Sequence, residues 1–554
     1  MGQKEQYRSR RLMESFWPAD TSTPLYDGSL GEALRIAARE APDRVALVEG
    51  RVEGGRRWTY RELLEDSERI AAALLTRFKS GERIAFCADN LPEWVPMLYG
   101  CALAGLVLVT VNPAFKAREL KYVLAQSQAA GLFMIDAYRG YDWLTAVDSI
   151  RGDLPALREV IRVADFWTFV EGAGGTRDFP VVGSRDACII MFTSGTTGMQ
   201  KGVMFHHQGV ANMAYLTQAR GGLSDTGVFI SPMPLFYIGG LGHVGVGAVM
   251  HKATHVVVSH WDPALFMALV EREGGTYSLL VPTMIEAILA HPDRGRYDIA
   301  TLRHLVSGAS VVEAQLIRRT QAELGATLCN VYGQTEMQGV VTATHRDDLP
   351  EDQTGTIGQP IAHVDVKIAD PETGAVLPIG VEGELWVRGY QLMLGYFGMN
   401  DETAKTITSD GWLRSGDLAT MDERGFVRIS GRIKELIIRG GQNVYPREVE
   451  NLLLEHPAIE NVAIVGVPDA YWGEQVGAII IPTTSGDRPD INDLHAFARE
   501  NLAAYKTPSL WYFTDAFPFT ETGKLQKFKL VEAIKNGSLQ PVARESEAPQ
   551  RQRA

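Results

Sequence analysis

Thr193-Ser194-Gly195-Thr196-Thr197-Gly198-Met199-Gln200-Lys201-Gly202 follows directly on the apolar run Ala187-Cys188-Ile189-Ile190-Met191-Phe192. A short apolar run that ends in Ser, Thr and Gly reads as a buried strand emptying into a tight loop. Small residues let the backbone approach oxyanions closely, and exposed N–H groups and hydroxyls can donate to them. Lys201 adds a positive charge. The stretch is a candidate phosphate cradle. It is not a GxxxxGK[ST] loop, because Gln200 stands five residues after Gly195.

Outward from this loop, helical and strand patterns alternate. On its N-terminal side, Leu63, Ile70, Ala71, Leu74, Leu75 and Phe78 share one helical face. A strand at 83–87, a helix at 92–104, a strand at 107–111 and a helix at 117–126 follow. Repeated βαβ units predict a parallel sheet covered on both faces. The Gly- and Arg-rich stretch 171–186 reads as a loop. On the C-terminal side, strands are expected at 187–193, 228–231, 255–259, 278–281, 304–306 and 328–332. Asp262-Pro263 has the form of an N-cap and first helical residue. Beyond Glu336, alternation at Val364, Val366 and Ile368, repeated over 384–388, predicts short antiparallel strands.

The fold class is therefore α/β. A large N-terminal domain of doubly wound sheets plus a β-rich subdomain precedes a small α+β domain with a helix from Pro446 through Leu454 and strands at 462–467 and 478–481. The expected limits are 1–433, 434–535, and a disordered tail at 536–554 that is polar and lacks periodicity.

Composition narrows the function classes. The chain has 554 residues, 45% hydrophobic and 22% charged, the profile of a globular protein with a large core. A formal net charge of -13 argues against nucleic acid as a partner, since phosphate backbones require clustered Lys and Arg. The longest apolar run, near 100–111, is too short for a membrane span of about 20 residues, and the N-terminus lacks a signal-peptide core. Four scattered cysteines, Cys87, Cys101, Cys188 and Cys329, lie in apolar runs and read as buried reduced thiols of a cytoplasmic protein. His206, His207 and His243 read as packing or capping residues, with no metal-ligand spacing.

Further motifs follow in a fixed order. They are Pro234-Leu235-Phe236-Tyr237-Ile238-Gly239-Gly240, Ser307-Gly308-Ala309-Ser310, Tyr332-Gly333-Gln334-Thr335-Glu336, and Gly411-Trp412-Leu413-Arg414-Ser415-Gly416-Asp417. After them come Gly431-Arg432-Ile433-Lys434-Glu435, Gly440-Gly441-Gln442-Asn443 and Phe517-Pro518-Phe519-Thr520-Glu521-Thr522-Gly523-Lys524-Leu525. Together with 193–202, this series resembles the acyl-adenylate-forming superfamily of acyl-CoA ligases, peptide-synthetase adenylation domains and beetle luciferases.

The resemblance implies the following roles. Thr193, Ser194, Gly195, Thr196, Thr197, Gly198 and Lys201 hold ATP phosphates, with Thr196 among the catalytic groups. Gln200 stands where the family pattern has Pro. Gly308, Ala309 and Ser310 line the adenine and acyl pockets. Tyr332 stacks on adenine, Gly333 and Gln334 accompany it, Thr335 contacts the phosphate region, and Glu336 helps to hold Mg²⁺. Asp417 accepts hydrogen bonds from both ribose hydroxyls, and Arg432 contacts ribose or phosphate. Lys434 is the hinge, and Gly440, Gly441 and Gln442 line the path of coenzyme A. Lys524 is the catalytic cation between carboxylate and α-phosphate. Tyr237, Gly239 and Gly240 belong to the acyl pocket, Tyr237 replacing a His that many relatives carry.

The function so implied is ATP-dependent activation of a small carboxylic acid to an acyl-adenylate, then transfer to coenzyme A. The cofactors are ATP, Mg²⁺ and coenzyme A; the partners are the acid and coenzyme A, with a homodimer as an option. A standalone enzyme that loads a carrier protein or forms an amide is the alternative. A catalytically silent nucleotide-binding protein is the alternative of another class.

Overall fold

A computed structural model describes residues 10–542, apart from 176–177, 194–199, 224–225, 309–311, 440–441, 470, 484–487, 503 and 520–524, with backbone alone at 434, 442 and 443. The chain forms two units. One comprises Phe16–Val366 and Trp386–Arg414; the other comprises Met1–Ser15, Lys367–Leu385 and Ser415–Ala554.

Two large sheets dominate the first unit. One runs in the order Gly395–Tyr396, Lys201–His206, Ala187–Thr193, Val107–Val111, Arg83–Cys87, Ala129–Met134, Glu159–Arg162. From Ala187–Thr193 to Glu159–Arg162 its neighbours are parallel. The other is parallel from Val45–Gly50 through Thr254–Val258, Val228–Ser231, Tyr277–Leu279 and His304–Ser307 to Thr327–Gln334. Strands such as Val107–Val111 are buried on both faces, which is why they read as unbroken apolar runs.

The helices between the strands carry the signals that start and stop them. Thr59 Oγ1 accepts from Glu62 N at 3.2 Å, and Thr59 N donates to the Glu62 carboxylate at 2.7 Å, a capping box for Tyr60–Leu75. Asp262 Oδ1 accepts from Leu265 N at 2.7 Å ahead of Pro263–Glu273, which Gly274 ends in the left-handed region. Each such cap is worth about 1 kcal/mol.

The strand Lys201–His206, which follows the phosphate loop, is the main element that sequence periodicity does not reveal. It pairs antiparallel with Ala187–Thr193, in the register Thr193↔Lys201. The strands on either side of residues 194–199 are thus antiparallel neighbours.

In the second unit, Asp417 faces Arg432 across an antiparallel pair. Farther on, Gly473–Pro482 pairs with Ile459–Asp469 and, in parallel, with Leu510–Phe513. Alternate residues separate two cores. Val462, Ile464, Ala478, Ile480 and Trp511 go to one, and Ala463, Val465, Ile479 and Tyr512 to the other. Burying each such aliphatic side chain contributes roughly 1.5–3 kcal/mol. Within 536–542, Leu539 packs on the second core and Val542 N donates to Trp511 O at 2.8 Å.

The four cysteines are buried and free. Burial pushes the Cys329 thiol up to about 12, so it is no nucleophile at neutral pH. No helix among the described residues is long and apolar enough to cross a membrane.

Candidate active site

In open parallel sheets, ligands bind beyond the carboxyl ends of the strands. Here three such ends meet. Asn90 follows Arg83–Cys87, Asn112 follows Val107–Val111, and the turn before Tyr237 follows Val228–Ser231. Asn90 Nδ2 donates to Pro232 O, Met233 O and Val258 O at 3.3, 3.1 and 3.1 Å, while its Oδ1 accepts from Leu235 N at 2.9 Å. Asn112 Nδ2 donates to the Tyr237 hydroxyl oxygen at 3.2 Å. Tyr237 thus has a polar anchor as well as an aromatic one, since its ring tilts against Phe236 at 4.7 Å.

A π-helix, Gly239–Val246, grows from this turn. At Gly240 a Cβ would lie 2.3 Å from Pro234 O, so the tight turn demands glycine there. At Gly239 the nearest atoms stand at an ordinary 3.4 Å, from Leu279.

The phosphate loop from Ser194 to Met199 lies outside the described residues, but both flanks are placed. Tyr122 Oη donates to Gln200 O at 2.7 Å. Lys201 Nζ lies 2.5 Å from Glu402 Oε2 and 4.8 Å from the centre of the Tyr396 ring. Lys405 Nζ approaches the other Glu402 oxygen at 2.7 Å. The hydrogen bond from Lys201, then that from Lys405, holds the Glu402 carboxyl down at about 2. Tyr396 Oη in turn donates to Glu336 Oε1 at 2.9 Å. Burial, then the Glu336 charge, pushes the Tyr396 phenol well above its ordinary range, so it remains a donor.

Lys201, Tyr396 and Glu336 therefore form one connected group. Register explains it: Tyr396 sits opposite Val203 in the sheet, and the short helix Asn400–Thr406 follows at once with Glu402. Neither Tyr396 nor Glu402 belongs to a motif read from the sequence, because they enter through pairing about 200 residues away.

Glu336 lies in the 3₁₀ turn Thr335–Met337. Among the described residues its Oε2 makes no hydrogen bond, and no group of three or more His, Cys, Asp or Glu could hold a metal. One hard oxygen of this kind fits Mg²⁺, which takes most of its ligands from phosphates and water. Upstream, Gln334 Nε2 donates to Tyr332 Oη at 3.3 Å. Gly333 has no substitute: a Cβ there would lie 1.7 Å from Gly339 O. Ser307, fully buried, ends the strand beside them and Gly308 follows it, while Ala309 and Ser310 lie outside the described residues.

In the second unit, Arg432 Nε meets Asp417 Oδ1 at 2.8 Å, with the Asp417 side chain 3% exposed and that of Arg432 47%. Ser415 Oγ accepts from Asp417 N at 3.0 Å, and Glu384 Oε1 from Gly416 N at 3.0 Å. The two motif residues are thus brought together on facing strands. Lys434 falls in the 3₁₀ turn Ile433–Glu435, and Gln442 opens the strand Gln442–Val444. Gly440, Gly441 and Lys524 lie outside the described residues. The Phe519–Leu525 bridge brackets the segment that carries Lys524.

The histidines divide. His206 Nδ1 accepts from Gly209 N at 3.1 Å as an N-cap, and His207 Nδ1 accepts from Leu30 N at 3.2 Å. Burial lowers both to about 4, His243 to about 4 and His255 to about 3. Below pH 6.5 the unfolded chain takes up protons that these rings refuse until about pH 4, so acid favours unfolding. Stability is expected to fall by several kcal/mol in total between pH 7 and pH 5. Calorimetric melts across that range check this; a flat melting temperature contradicts it.

The doubly wound unit and the small α+β element define the class of adenylate-forming enzymes. The chain belongs to the AMP-binding enzyme family, whose sequence model matches residues 34–397, and the AMP-binding enzyme C-terminal domain model matches 448–524. YngI of Bacillus subtilis, named an acyl-CoA synthetase, is 36% identical, over 92% of this chain and 97% of its own. The mitochondrial medium-chain acyl-CoA ligase ACSF2 of Danio rerio is 32% identical, over 94% of this chain and 91% of its own. The crystal structure of ATP-bound MatB from Rhodopseudomonas palustris superposes with a TM-score of 0.84 at 26% identity, covering 92% of this chain and 99% of that one.

Proposed function

We infer that the protein is an AMP-forming acid–thiol ligase that makes an acyl-CoA. The observation that carries this reading is the joined group of Lys201, which opens the strand after residues 194–199, Tyr396 and Glu336. Family membership and the acyl-CoA synthetase and ligase names of the relatives support it.

In the first half-reaction a carboxylate oxygen attacks the α-phosphorus of ATP, a P–O bond forms, and pyrophosphate leaves with the electron pair of the broken α–β bridge. Negative charge grows at the phosphoryl oxygens, and fixed cations stabilise it without reorganisation. Lys524 supplies one such cation at the α-phosphate. Lys201 exchanges Glu402 for the outer phosphates. Glu336 would hold Mg²⁺, which neutralises phosphate charge when bound. Tyr332 stacks on adenine, and Asp417 accepts from the ribose hydroxyls.

In the second half-reaction the coenzyme A thiolate attacks the acyl carbon, the acyl–phosphate C–O bond breaks, and AMP departs. One site serves both steps if the C-terminal segment turns at Lys434, exchanging Lys524 for the 440–442 loop. The medium-chain name of ACSF2 and the apolar π-helix support an acid of intermediate length. The buried, reduced cysteines fit a cytoplasmic setting.

ATP–pyrophosphate exchange across fatty, aryl and alicyclic acids, then AMP release with and without coenzyme A, tests the reading. Acid-dependent exchange followed by thiol-dependent AMP release is expected; thioester formed without an AMP-linked species contradicts it. Tyr396→Phe removes one hydrogen bond to the Glu336 carboxylate, worth about 1.5–3 kcal/mol as a bond to a charged group. A KM for Mg·ATP higher by up to roughly 10- to 100-fold is expected in the same assay, and an unchanged value detaches Tyr396 from the nucleotide.

A further inference from the structure

Gly239–Val246 contains one polar side chain, His243. His243 N bonds to Ile238 O at 2.7 Å, five residues back, which is the π geometry. Such turns are rare and recur at functional sites. The helix starts from the Tyr237 turn, with Gly240 N and Leu241 N donating to Tyr237 O at 3.1 and 3.0 Å. His243 is thus fixed to the residue that Asn112 anchors at the strand ends.

His243 is 2% exposed, and among the described residues neither Nδ1 nor Nε2 has a hydrogen-bond partner. Its carbonyl oxygen is satisfied, by Gln218 Nε2. A neutral imidazole offers one donor and one acceptor. Buried polar groups of this kind are nearly always paired, and an orphan calls for a ligand or a water. His206 and His207 illustrate the usual outcome, since each caps a backbone N–H. His255 is also unpaired, but it lies near the amino end of the strand Thr254–Val258, away from the carboxyl ends where ligands bind. Ser307, at the carboxyl end of its own strand, is a second fully buried group whose Oγ lacks a partner.

We propose that His243 recognises a neutral hydrogen-bonding group on the acid, such as a hydroxyl, an oxo group or a ring heteroatom, remote from the reacting carboxylate. This rests on the adenylation reading and names its substrate class. Burial, then the neighbouring His251, keeps the ring pKa at about 4, so His243 offers no charge for a second carboxylate. A plain alkyl chain would leave both ring nitrogens dry; a polar-bearing acid pairs at least one.

Pyrophosphate release by the full-length enzyme, with ATP and acids matched in length, tests this. Plain alkyl acids are set against hydroxy and oxo acids, and plain aryl acids against ring-hydroxylated ones. In the wild type, kcat/KM is expected to favour a polar-bearing acid over its plain match by roughly tenfold or more. His243→Leu is expected to abolish that ratio while the melting temperature stays level or rises, because an unpaired buried polar group is gone. His243→Gln, which keeps a donor and an acceptor, should retain part of the preference.

Equal use of matched acids by the wild type overturns the proposal while adenylation stands, and needs no variant to fold. A preference that survives His243→Leu overturns it too. A binary outcome in which no acid releases pyrophosphate removes the adenylation reading and this inference together.

Discussion

Lys524→Ala is expected to slow acid-dependent ATP–pyrophosphate exchange roughly 100- to 1,000-fold, the scale of losing one fixed charge-stabilising group. The same variant is expected to make thioester from supplied acyl-adenylate and coenzyme A at close to the wild-type rate. The asymmetry follows from the chemistry. In the first step, charge builds on phosphoryl oxygens as the pyrophosphate bond breaks, and a cation there lowers the barrier. In the second, the reacting centre is the acyl carbon and AMP leaves as a phosphate monoester dianion; with the C-terminal segment turned at Lys434 as proposed, Lys524 no longer stands beside that phosphate. Single-turnover assays of each half-reaction decide the matter. Equal loss in both would mean that Lys524 acts in a shared site throughout and that no exchange of segments occurs.

Asp417→Asn is the second large effect. The carboxylate is nearly buried, and the pairing register sets it 2.8 Å from Arg432. The amide keeps the shape but loses the charge that orients Arg432 and one strong acceptor of the ribose contact proposed for it. Hydrogen bonds to a charged group are worth about 1.5–3 kcal/mol, so KM for ATP should rise roughly 10- to 100-fold. Pyrophosphate release at varied ATP measures it, and a melt shows whether the fold is intact. A KM within twofold of wild type would place the ribose elsewhere.

The parallel strands were legible because burial on both faces leaves long apolar runs. Val228–Ser231 and Val107–Val111 fall where periodicity puts them. Helix starts were legible where chemistry is local, as at Asp262-Pro263. Lys201–His206 was not, because K-G-V-M-F-H neither alternates nor stays apolar, and only its partner strand makes it extended. Glu402 and Tyr396 were hidden for a related reason. Their meeting with Lys201 depends on a two-residue strand whose register no local pattern encodes. Asp417 and Arg432 were each read from their own motif, yet their pairing is a property of the hairpin between them. His243 inverts the lesson: its residue type suggested packing, and only three-dimensional burial shows that its ring nitrogens have no hydrogen-bond partner among the described residues.

Asn90 carries a consequence for redesign. One amide, in the loop after a strand of one sheet, contacts three carbonyls and one N–H at the carboxyl ends of two neighbouring strands of the other sheet. Shortening Asn90 to alanine would strip those contacts at once and let the turn before Tyr237 drift. Attempts to retarget the enzyme should therefore leave Asn90 untouched and vary the far wall of the helix after Tyr237, where a change alters what is accepted without loosening the frame that holds it.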